Sequence, residues 1–552
     1  MSRRNCLVLP IIGFALAVLA GCGSNSTTVV PPPRGGFTNS NLKGNYVFSF
    51  SGTDTEHQTF FAMAGIFTAD GHGGISSGTI DINDYANSSP VQVAVGSTSG
   101  YSITADGRGR GTLVTNNAGT IGIDFALTSS SHGMIIRFDS SGTGSGTLDL
   151  QDSTVTQANL TSYVFAMSGV DAATDNPLSS VGAFSLNGTT NISPGLQDFN
   201  FDANSSGFSN LTLTGSLTLG SGGPGTAILT NNSNNPTYSS LQFDVFAIDA
   251  THLKLIETDG AAILEGDAFT QQTTLASGQK RLVYTLGGLD SSKFPFSAGG
   301  YVNYDGSSAI GPIGLEDMND SASTGGKIQQ SLTVSGTLTT AGGGRYLLSV
   351  AGFYNGAAGG TSGTYSFVGY PFSAGGNVGI LLMENDGSGV TAGTAFVQSA
   401  QTFGSAQGYS LNLTGANNGG EVDDIAEFTA GSGGTLSNGI IDENDQNVPN
   451  GDVLAFKQDL GPGGTYTFDS PATGRGVLSY PSTNATFIGT LNLFYYVANS
   501  STVIFIDADS TQAGVGVFQL QNASASQAAV MHSQSHLSML RAVAGSRARR
   551  RR

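Results

Sequence analysis

The stretch YVFSFSG, residues 46–52, alternates large apolar side chains with smaller ones. Tyr46, Phe48 and Phe50 fall on one face of an extended chain, a period of two that is typical of a half-buried β-strand. Related stretches begin at Tyr163, at Leu282 and, more weakly, at Tyr409. Four copies of one opening strand therefore predict four copies of one all-β unit.

A second signature recurs at the far end of each copy, where a glycine is followed five residues later by a glutamine. The pairs are Gly146/Gln151, Gly266/Gln271, Gly393/Gln398 and Gly516/Gln521. An aspartate precedes each of these glycines by seven residues, at Asp139, Asp259, Asp386 and Asp509. These aspartates lie at hairpin positions, where carboxylates cap local backbone N–H groups, and we interpret them as turn residues.

The two signatures bound four units, at residues 42–152, 159–272, 280–399 and 405–522. A repeat of about 115 residues is far longer than a solenoid layer, so each unit is expected to bury a core of its own. A fragment such as residues 159–272 is therefore predicted to fold alone. Short polar linkers join the units, and the body is expected to be a monomeric array.

Turn dipeptides punctuate each unit, for example Asp70-Gly71, Asn187-Gly188 and Asp305-Gly306. Such pairs favour tight hairpins because both residues tolerate positive φ. In the first unit they separate about eight strands, so the sequence predicts an all-β protein of four tandem antiparallel domains. The pattern favours an eight-stranded up-and-down barrel for each unit, and a two-sheet sandwich is the alternative.

In size and strand number each unit resembles the lipocalin-like and avidin-like barrels. The resemblance is one of architecture only, because those families place a tryptophan near the first strand and this chain contains none. It implies a barrel and transfers no binding residue.

The charges are distributed unevenly along the chain. All 39 acidic residues lie between Asp54 and Asp509, whereas eight of the 21 basic residues lie at the extreme termini. A body this acidic repels phosphate backbones, which excludes nucleic acid as its expected partner. Residues 523–552 end in an arginine-rich run and are interpreted as a disordered basic tail.

The N-terminus carries a secretory signature: Arg3 and Arg4 precede a short apolar run that ends in Leu19-Ala20-Gly21-Cys22. This ending resembles the lipobox of bacterial lipoproteins. The resemblance implies that residues 1–21 are a signal peptide, that Cys22 carries the lipid, and that Gly23 favours the outer membrane. Residues 22–41 are then a Pro/Ser/Gly tether, and the mature chain has no disulfide because Cys6 is removed.

The most regular polar motif is Asp-x-Asn-Asp at the end of the third strand of a unit. It comprises Asp81/Asn83/Asp84, Asp317/Asn319/Asp320 and Asp442/Asn444/Asp445, with the partial copy Asp198/Asn200 in the second unit. Such residues end strands by bonding local backbone, and a structural turn is the favoured interpretation. Clustered oxygens also suit Ca²⁺, which is the less favoured alternative; no other cofactor is expected.

Two apparent enzyme motifs lack the structural context they require. The run Gly74-Ile-Ser76-Ser-Gly78 resembles a nucleophile elbow, and residues 220–225 fit a dinucleotide-binding pattern, but a strand and not a helix is predicted after each. The six histidines show no shared repeat position and are expected to be isolated surface or turn residues. The sequence therefore predicts no catalytic residue.

These features favour a lipid-anchored, non-enzymatic cell-envelope protein that serves as a structural, adhesive or binding array. Its expected partners are the membrane and an unknown surface ligand or glycan. Two alternatives stay open: small apolar ligands held inside the barrels, and a hydrolase acting on polysaccharide.

Overall fold

The fold is seen in a computed structural model that describes residues 36–522, except 87–88, 187, 202–206, 276–277, 312, 321–327, 353–362, 418–419, 447–452 and 484–488. The predicted signal peptide, tether, Cys22 and basic tail lie outside the described residues, apart from 36–41 of the tether. Two short 3₁₀ helices, Asn39–Asn41 and Gln157–Asn159, precede units 1 and 2.

Unit 1 comprises nine strands in one sheet, with the order β4-β3-β2-β1-β9-β8-β7-β6-β5. The strands are β1 Lys43–Asp54, β2 Phe60–Asp70, β3 Ile75–Asp84, β4 Val91–Val95, β5 Gly100–Ile103, β6 Arg108–Val114, β7 Thr120–Leu127, β8 His132–Asp139 and β9 Gly142–Leu150. Single bridges, Gly74 to Gly100 and Val95 to Thr115, join the two halves of the sheet into a barrel.

Unit 2 is an eight-stranded barrel closed by the pairing of its first and last strands. Its strands are β10 Ser162–Asp171, β11 Pro177–Ser185, β12 Asn191–Phe201, β13 Phe208–Leu219, β14 Pro224–Asn231, β15 Ser240–Asp249, β16 His252–Glu257 and β17 Ala262–Gln271. Closure removes both exposed sheet edges.

Unit 3 is closed in the same way, by β18 and β27. Its strands are β18 Lys280–Asp290, β19 Pro295–Tyr304, β20 Ala309–Ile310, β21 Leu315–Asn319, β22 Ile328–Thr333, β23 Ser335–Thr340, β24 Tyr346–Ala351, β25 Thr364–Ala374, β26 Asn377–Glu384 and β27 Gly389–Val397.

Unit 4 repeats the strand order of unit 1, with its first strand β28 beside its last, β36. Its strands are β28 Gln407–Asn417, β29 Glu421–Ala430, β30 Leu436–Asp445, β31 Val453–Asp459, β32 Thr465–Phe468, β33 Arg475–Pro481, β34 Thr490–Asn499, β35 Thr502–Asp507 and β36 Gln512–Leu520. The all-β fold with barrel sheets is thus confirmed, and the sandwich alternative is not what the chain adopts.

Among the described residues, unit 2 alone has the expected eight strands. In unit 1 the sequence analysis missed β4, a five-residue strand in which only Val93 and Val95 are buried. Such a short strand between Pro90 and Gly96 gives too few alternations to be recognised.

The interior of each barrel is filled by its own side chains. In unit 1, for example, the rings of Phe48, Phe50 and Phe67 are buried against one another. Corresponding apolar clusters occupy units 2, 3 and 4.

A further core lies between the barrels. One cluster contains Met134 of unit 1, Val164 of unit 2, Tyr370 of unit 3 and Tyr496 of unit 4. Units 2 and 3 also share a short ladder in which β17 pairs with β25. A core inside each unit was expected from the sequence, whereas this second core between the units was not.

Candidate functional site

The repeated polar residues meet at the contacts between units. We name the surfaces between consecutive units, and between unit 4 and unit 1, the 1/2, 2/3, 3/4 and 4/1 seams. Because the fourth seam returns to the first unit, the contacts close into a ring.

At each seam the asparagine of the Asp-x-Asn-Asp motif reaches into the next unit. Its side-chain N–H₂ group donates to backbone carbonyls of the hairpin before the last strand. The contacts are Asn83 to Glu257 and Ala262 (2.9 and 3.1 Å), Asn200 to Glu384 and Gly389 (2.9 and 3.1 Å), Asn319 to Asp507 and Gln512 (2.8 and 2.7 Å), and Asn444 to Arg137 and Gly142 (3.0 Å each). All four asparagines are buried.

The glutamine that ends each unit makes a second contact at the same seam. Its Nε2 donates to a backbone carbonyl of the next unit: Gln151 to Ala247 (3.0 Å), Gln271 to Gly343 (3.1 Å), Gln398 to Val497 (2.8 Å) and Gln521 to Leu127 (3.2 Å). Each glutamine lies over a glycine with positive φ: Gly223, Gly344, Gly474 and Gly107 respectively. A Cβ on any of these glycines would meet the amide nitrogen at 2.8 Å or less.

The first aspartate of the motif pairs with an arginine of the next unit at three of the four seams. The pairs are Asp198 with Arg345 (2.8 and 2.9 Å), Asp317 with Arg475 (2.6 and 2.7 Å) and Asp442 with Arg108 (2.8 Å). The same carboxylates accept backbone N–H groups from Asn210, Ser331 and Lys457 in their own units. Sequence reasoning predicted the local backbone contact and missed the ion pair.

The second aspartate of the motif is not equivalent in the three units that have it, contrary to the sequence analysis. Asp84 is partly exposed and accepts the backbone N–H of Ala86 at 2.9 Å, which is the predicted turn contact. Asp445 is also partly exposed and accepts an amide of its own unit at 3.1 Å. Asp320, by contrast, is fully buried, with 0% of its surface exposed. It directly follows Asn319, whose amide lies under unit 4, so the position belongs to the covered 3/4 seam and not to a surface turn.

The hairpin aspartates accept backbone N–H groups within their own unit. Asp139 accepts from Gly122 and Ser141, and Asp259 accepts from Gln242 and Ala261. Each therefore ties its hairpin to the strand directly before that hairpin, β7 or β15, and the hairpin carbonyls face the asparagine of the preceding unit.

The candidate calcium ligands are divided among these contacts. Asp317 and Asp442 bind guanidinium groups, and the amides of Asn319 and Asn444 bind carbonyls across a seam. Among the described residues, Asp320 included, no group of three or more His, Cys, Asp or Glu side chains is arranged to hold a metal ion. Calcium binding by this motif stays the less favoured alternative.

An acidic cavity of about 260 Å³ lies in unit 4, close to the 3/4 seam. Its lining includes Asp424, Glu443, Asp445, Asp507 and Asp509. Burial raises the pKa of Glu443 and of Asp507 to about 8, and it raises the pKa of Asp424 well above its ordinary value with a further contribution from Glu443. These carboxyl groups consequently hold protons at a pH at which exposed carboxylates have none.

Two histidines occupy equivalent places, contrary to the sequence analysis. His132 opens β8 and His252 opens β16; both are buried, and each bonds a buried aspartate, Asp149 at 2.7 Å and Asp267 at 2.6 Å. Asp267 also accepts a hydrogen bond from Lys254. The interpretation of these two histidines as isolated surface residues was wrong, because their Asp partners lie on the next strand and not nearby in sequence.

A polar groove of about 790 Å³ lies where unit 3 meets the linker to unit 4, lined in part by Lys280, Arg281, Asn303, Gln398 and Gln401. The guanidinium of Arg281 donates to Asn303 and to the carbonyl of Thr473 in unit 4. The groove thus offers amides and cations on a body that is otherwise acidic.

The chain was compared with known protein families, curated proteins and solved structures. No family model and no curated protein matches the chain. Among solved structures it is similar to transferrin-binding protein B of Haemophilus parasuis Hp5 in a double-mutant form (TM-score 0.18, 10% identity, 73% of this chain and 84% of that chain). The corresponding protein of Neisseria meningitidis serogroup B gives 0.18 and 11%, over 70% and 84% of the two chains.

An intact transferrin-binding protein B with both lobes, Ap-TbpB, gives a TM-score of 0.17 at 11% identity, over 88% of this chain and 95% of that chain. Scores this low do not establish a shared fold. The class of protein is therefore defined by the structure itself, as an all-β assembly of four barrel units. The part of the chain that the structure describes holds no helix of the length and apolar character needed to cross a bilayer.

Proposed function

We propose that this chain is a non-enzymatic, lipid-anchored cell-envelope protein whose four barrels form one rigid platform for a surface ligand. The observation that supports it is the cyclic set of asparagine contacts, in which Asn83, Asn200, Asn319 and Asn444 each hold a hairpin of the next unit. In units joined only by flexible linkers, such polar groups would remain exposed to solvent. Here they are buried and bonded, so the units should move as one body.

A rigid platform presents loops of four units at fixed spacing, which allows several weak contacts to a repetitive ligand to form together. A glycan is the ligand class that this proposal favours, because amide and hydroxyl side chains line much of the groove beside Lys280 and Arg281, with one carboxylate, Asp305, and the apolar Ile313. These groups suit a hydroxyl-rich, acidic saccharide.

Membrane attachment is assigned to Cys22 on the lipobox resemblance. The test is Cys22→Ser in the producing cell: the substituted protein should lose the lipid from its N-terminal peptide, measured by mass spectrometry, and should leave the detergent phase. An unchanged mass and partitioning would overturn the anchor.

The platform is tested on residues 36–522 expressed without the signal peptide, tether and C-terminal tail. Small-angle X-ray scattering should give a radius of gyration of about 23 Å, which is the value expected for a compact chain of about 490 residues. A value of about 30 Å or more would indicate an extended array. Binding of the same sample to a glycan array tests the ligand class. Lys280→Ala should reduce this binding, whereas Lys43→Ala, at an exposed position of unit 1, should leave it unchanged.

A further inference from the structure

The acidic cavity of unit 4 occupies a place that holds a guanidinium group in unit 1. Asp507 lies two residues before the hairpin aspartate Asp509, and Arg137 lies two residues before the corresponding Asp139. The backbone carbonyl of each accepts the seam asparagine of the preceding unit, at 2.8 Å in unit 4 and 3.0 Å in unit 1. The two positions are therefore equivalent in the fold and opposite in charge.

In unit 1 the side chain of Arg137 fills this place. Its Nε donates to a carboxylate oxygen of Asp139 at 3.2 Å, and its guanidinium carbon lies 4.9 Å from the centre of the Phe61 ring. Its charge also acts on Asp84, the second aspartate of the unit 1 motif. Because Arg137 is 8% exposed, unit 1 shows how this end of a barrel encloses an alkyl guanidinium.

Four differences between the two units change this place from filled to open. Matched by strand pairing and hairpin position, the residues of unit 1 and their counterparts in unit 4 are Arg137 and Asp507, Phe61 and Val422, Met63 and Asp424, and Ile82 and Glu443. The first two differences remove side-chain volume, and three of the four introduce a carboxyl group. Unit 4 therefore has a cavity of about 260 Å³ lined by carboxyl groups where unit 1 has its own cation.

Two of these carboxyl groups have an oxygen without a donor. Asp424 of β29 and Glu443 of β30 lie directly opposite each other and are 3% and 6% exposed. Oδ1 of Asp424 and Oε1 of Glu443 accept no hydrogen bond from any described donor. Unit 4 has two basic residues, Lys457 and Arg475, and neither lines the cavity. Buried carboxylates so placed repel each other unless a cation or a proton neutralises them.

We propose that the unit 4 cavity binds the guanidinium group of a small organic cation, which Asp424, Glu443 and Asp507 receive as carboxylates. A guanidinium suits this place because its planar fork of N–H donors can bond carboxylates on several sides at once. A metal ion suits it less, because no three acidic side chains in the described part of the chain are arranged to hold one.

The size of the cavity limits the ligand. Its volume lies just below the roughly 300–1,000 Å³ of pockets that hold drug-sized ligands, so a molecule about as large as an arginine side chain fits and an oligosaccharide does not. The site is separate from the groove beside Lys280, and its ligand does not depend on the glycan proposed there.

Calorimetric titration of the intact chain with propylguanidinium, which has the shape of an arginine side chain, tests the proposal at pH 8.5. Propylurea is the matched control ligand, because it has nearly the same shape and no charge. We expect saturable binding of propylguanidinium and at least about tenfold weaker binding of propylurea, which makes no charge-assisted hydrogen bonds. Equal binding of the two, or no binding of propylguanidinium, would overturn the proposal. Binding of Ca²⁺ that excludes propylguanidinium would also overturn it, in favour of a metal site.

Variants test whether the ligand lies in the cavity. Asp424→Asn should weaken binding at least about tenfold, because an amide replaces a charged acceptor, and Glu443→Gln gives the same readout if that variant does not fold. Asp459→Asn, on β31 and outside the cavity lining, is the control and should bind as the wild type does. Asp507→Arg with Val422→Phe rebuilds the arrangement of unit 1, so it should abolish binding while the chain still unfolds cooperatively. Undiminished affinity in Asp424→Asn would refute the assignment.

The same chemical group is also present in the chain itself, in the six arginines from Arg541 to Arg552. A chain that ends at residue 522 distinguishes the two sources. Unchanged affinity for propylguanidinium would identify a free molecule as the ligand. Severalfold tighter binding would show that the terminal arginines compete for the cavity.

Discussion

Gln521, which follows the last strand of unit 4, donates its amide to the carbonyl of Asp106 in unit 1 at 2.6 Å. The two residues are 415 positions apart. The amide of Gln521 also meets Leu127 and Ser410, so one buried side chain joins three segments. Gln151 makes the equivalent contact at the 1/2 seam, and the contact of Gln521 with unit 1 completes the ring of units.

The first prediction concerns Asn444 at the 4/1 seam. Asn444→Ala should lower the free energy of unfolding by about 1–3 kcal/mol, because buried carbonyls of Arg137 and Gly142 lose their donor. Asn444→Asp should cost at least as much, since a carboxylate faces those carbonyls. Urea unfolding measures both. Asn191→Ala, at an exposed position of β12, is the control and should change stability by less than about 0.5 kcal/mol.

A second prediction uses two glycines with nearly equal backbone angles. Gly107 (φ +92°) lies beneath Gln521, whereas a Cβ on Gly222 (φ +87°) would meet nothing within 4 Å. Both substitutions by alanine cost about 1–2 kcal/mol for the left-handed backbone. Gly107→Ala should cost about 1–3 kcal/mol more, because the new methyl group would meet the Gln521 amide, the Phe37 ring and the Leu127 carbonyl at 3.0 Å or less. Equal losses of melting temperature in the two variants would contradict the seam contact.

The third prediction is a pH dependence in unit 4. The pKa values of Glu443 and Asp507 are raised to about 8 by burial, so the folded state binds more protons than the unfolded chain between about pH 4 and pH 8. Stability should therefore fall as the pH rises through this range. Asp424→Asn removes one member of the cluster and should stabilise the protein by about 1–3 kcal/mol at pH 8 but much less at pH 5.

Thermal melts across pH 5 to 8.5 provide the measurement for this variant. Asp459→Asn, on β31 and outside the cavity lining, is the control and should leave the pH profile as in the wild type. If calcium occupies the cavity in solution, added calcium would raise the melting temperature of the wild type at pH 8 and not that of Asp424→Asn. That outcome would mean that a calcium ion, and not bound protons, neutralises the carboxylates of the cavity.

The fourth prediction concerns residues 159–272 expressed alone. Pairing of β10 with β17 closes this barrel without help from another unit, so the fragment should be β-rich and should unfold cooperatively. It also exposes Val164 and Phe269, which the intact chain buries against other units. We expect concentration-dependent self-association in size-exclusion chromatography. A fragment that stays monomeric at all concentrations would show that the inter-unit core contributes little.

Three residue types illustrate which features of this protein could be predicted from its sequence. The alternation at Tyr46, Phe48 and Phe50 predicted a strand with one buried face, and all three side chains are buried in the lumen of unit 1. Asn444 was recognised as a repeated polar residue, but its partners lie on a hairpin about 300 positions away. The burial of Asp320 could not be predicted either, because it depends on the neighbouring unit that covers the end of β21.

The two histidines illustrate a different difficulty. The equivalent positions of His132 and His252 were missed because the spacing between units is not constant. A comparison of strand positions, and not of residue offsets, would have brought them together.

The sequence by itself determined the all-β class, the fourfold recurrence of the unit and the residues that recur within it. Those properties are local, because side-chain period, turn propensity and repeat spacing are written along the chain. Only the tertiary structure decided that the recurring Asn and Gln side chains bond the next unit and that unit 4 returns to unit 1. An amide can be satisfied by any carbonyl, so its residue type does not specify its partner. That choice depends on which barrel surfaces pack together, and it left Asp81 at the 1/2 seam without the arginine that its three counterparts have.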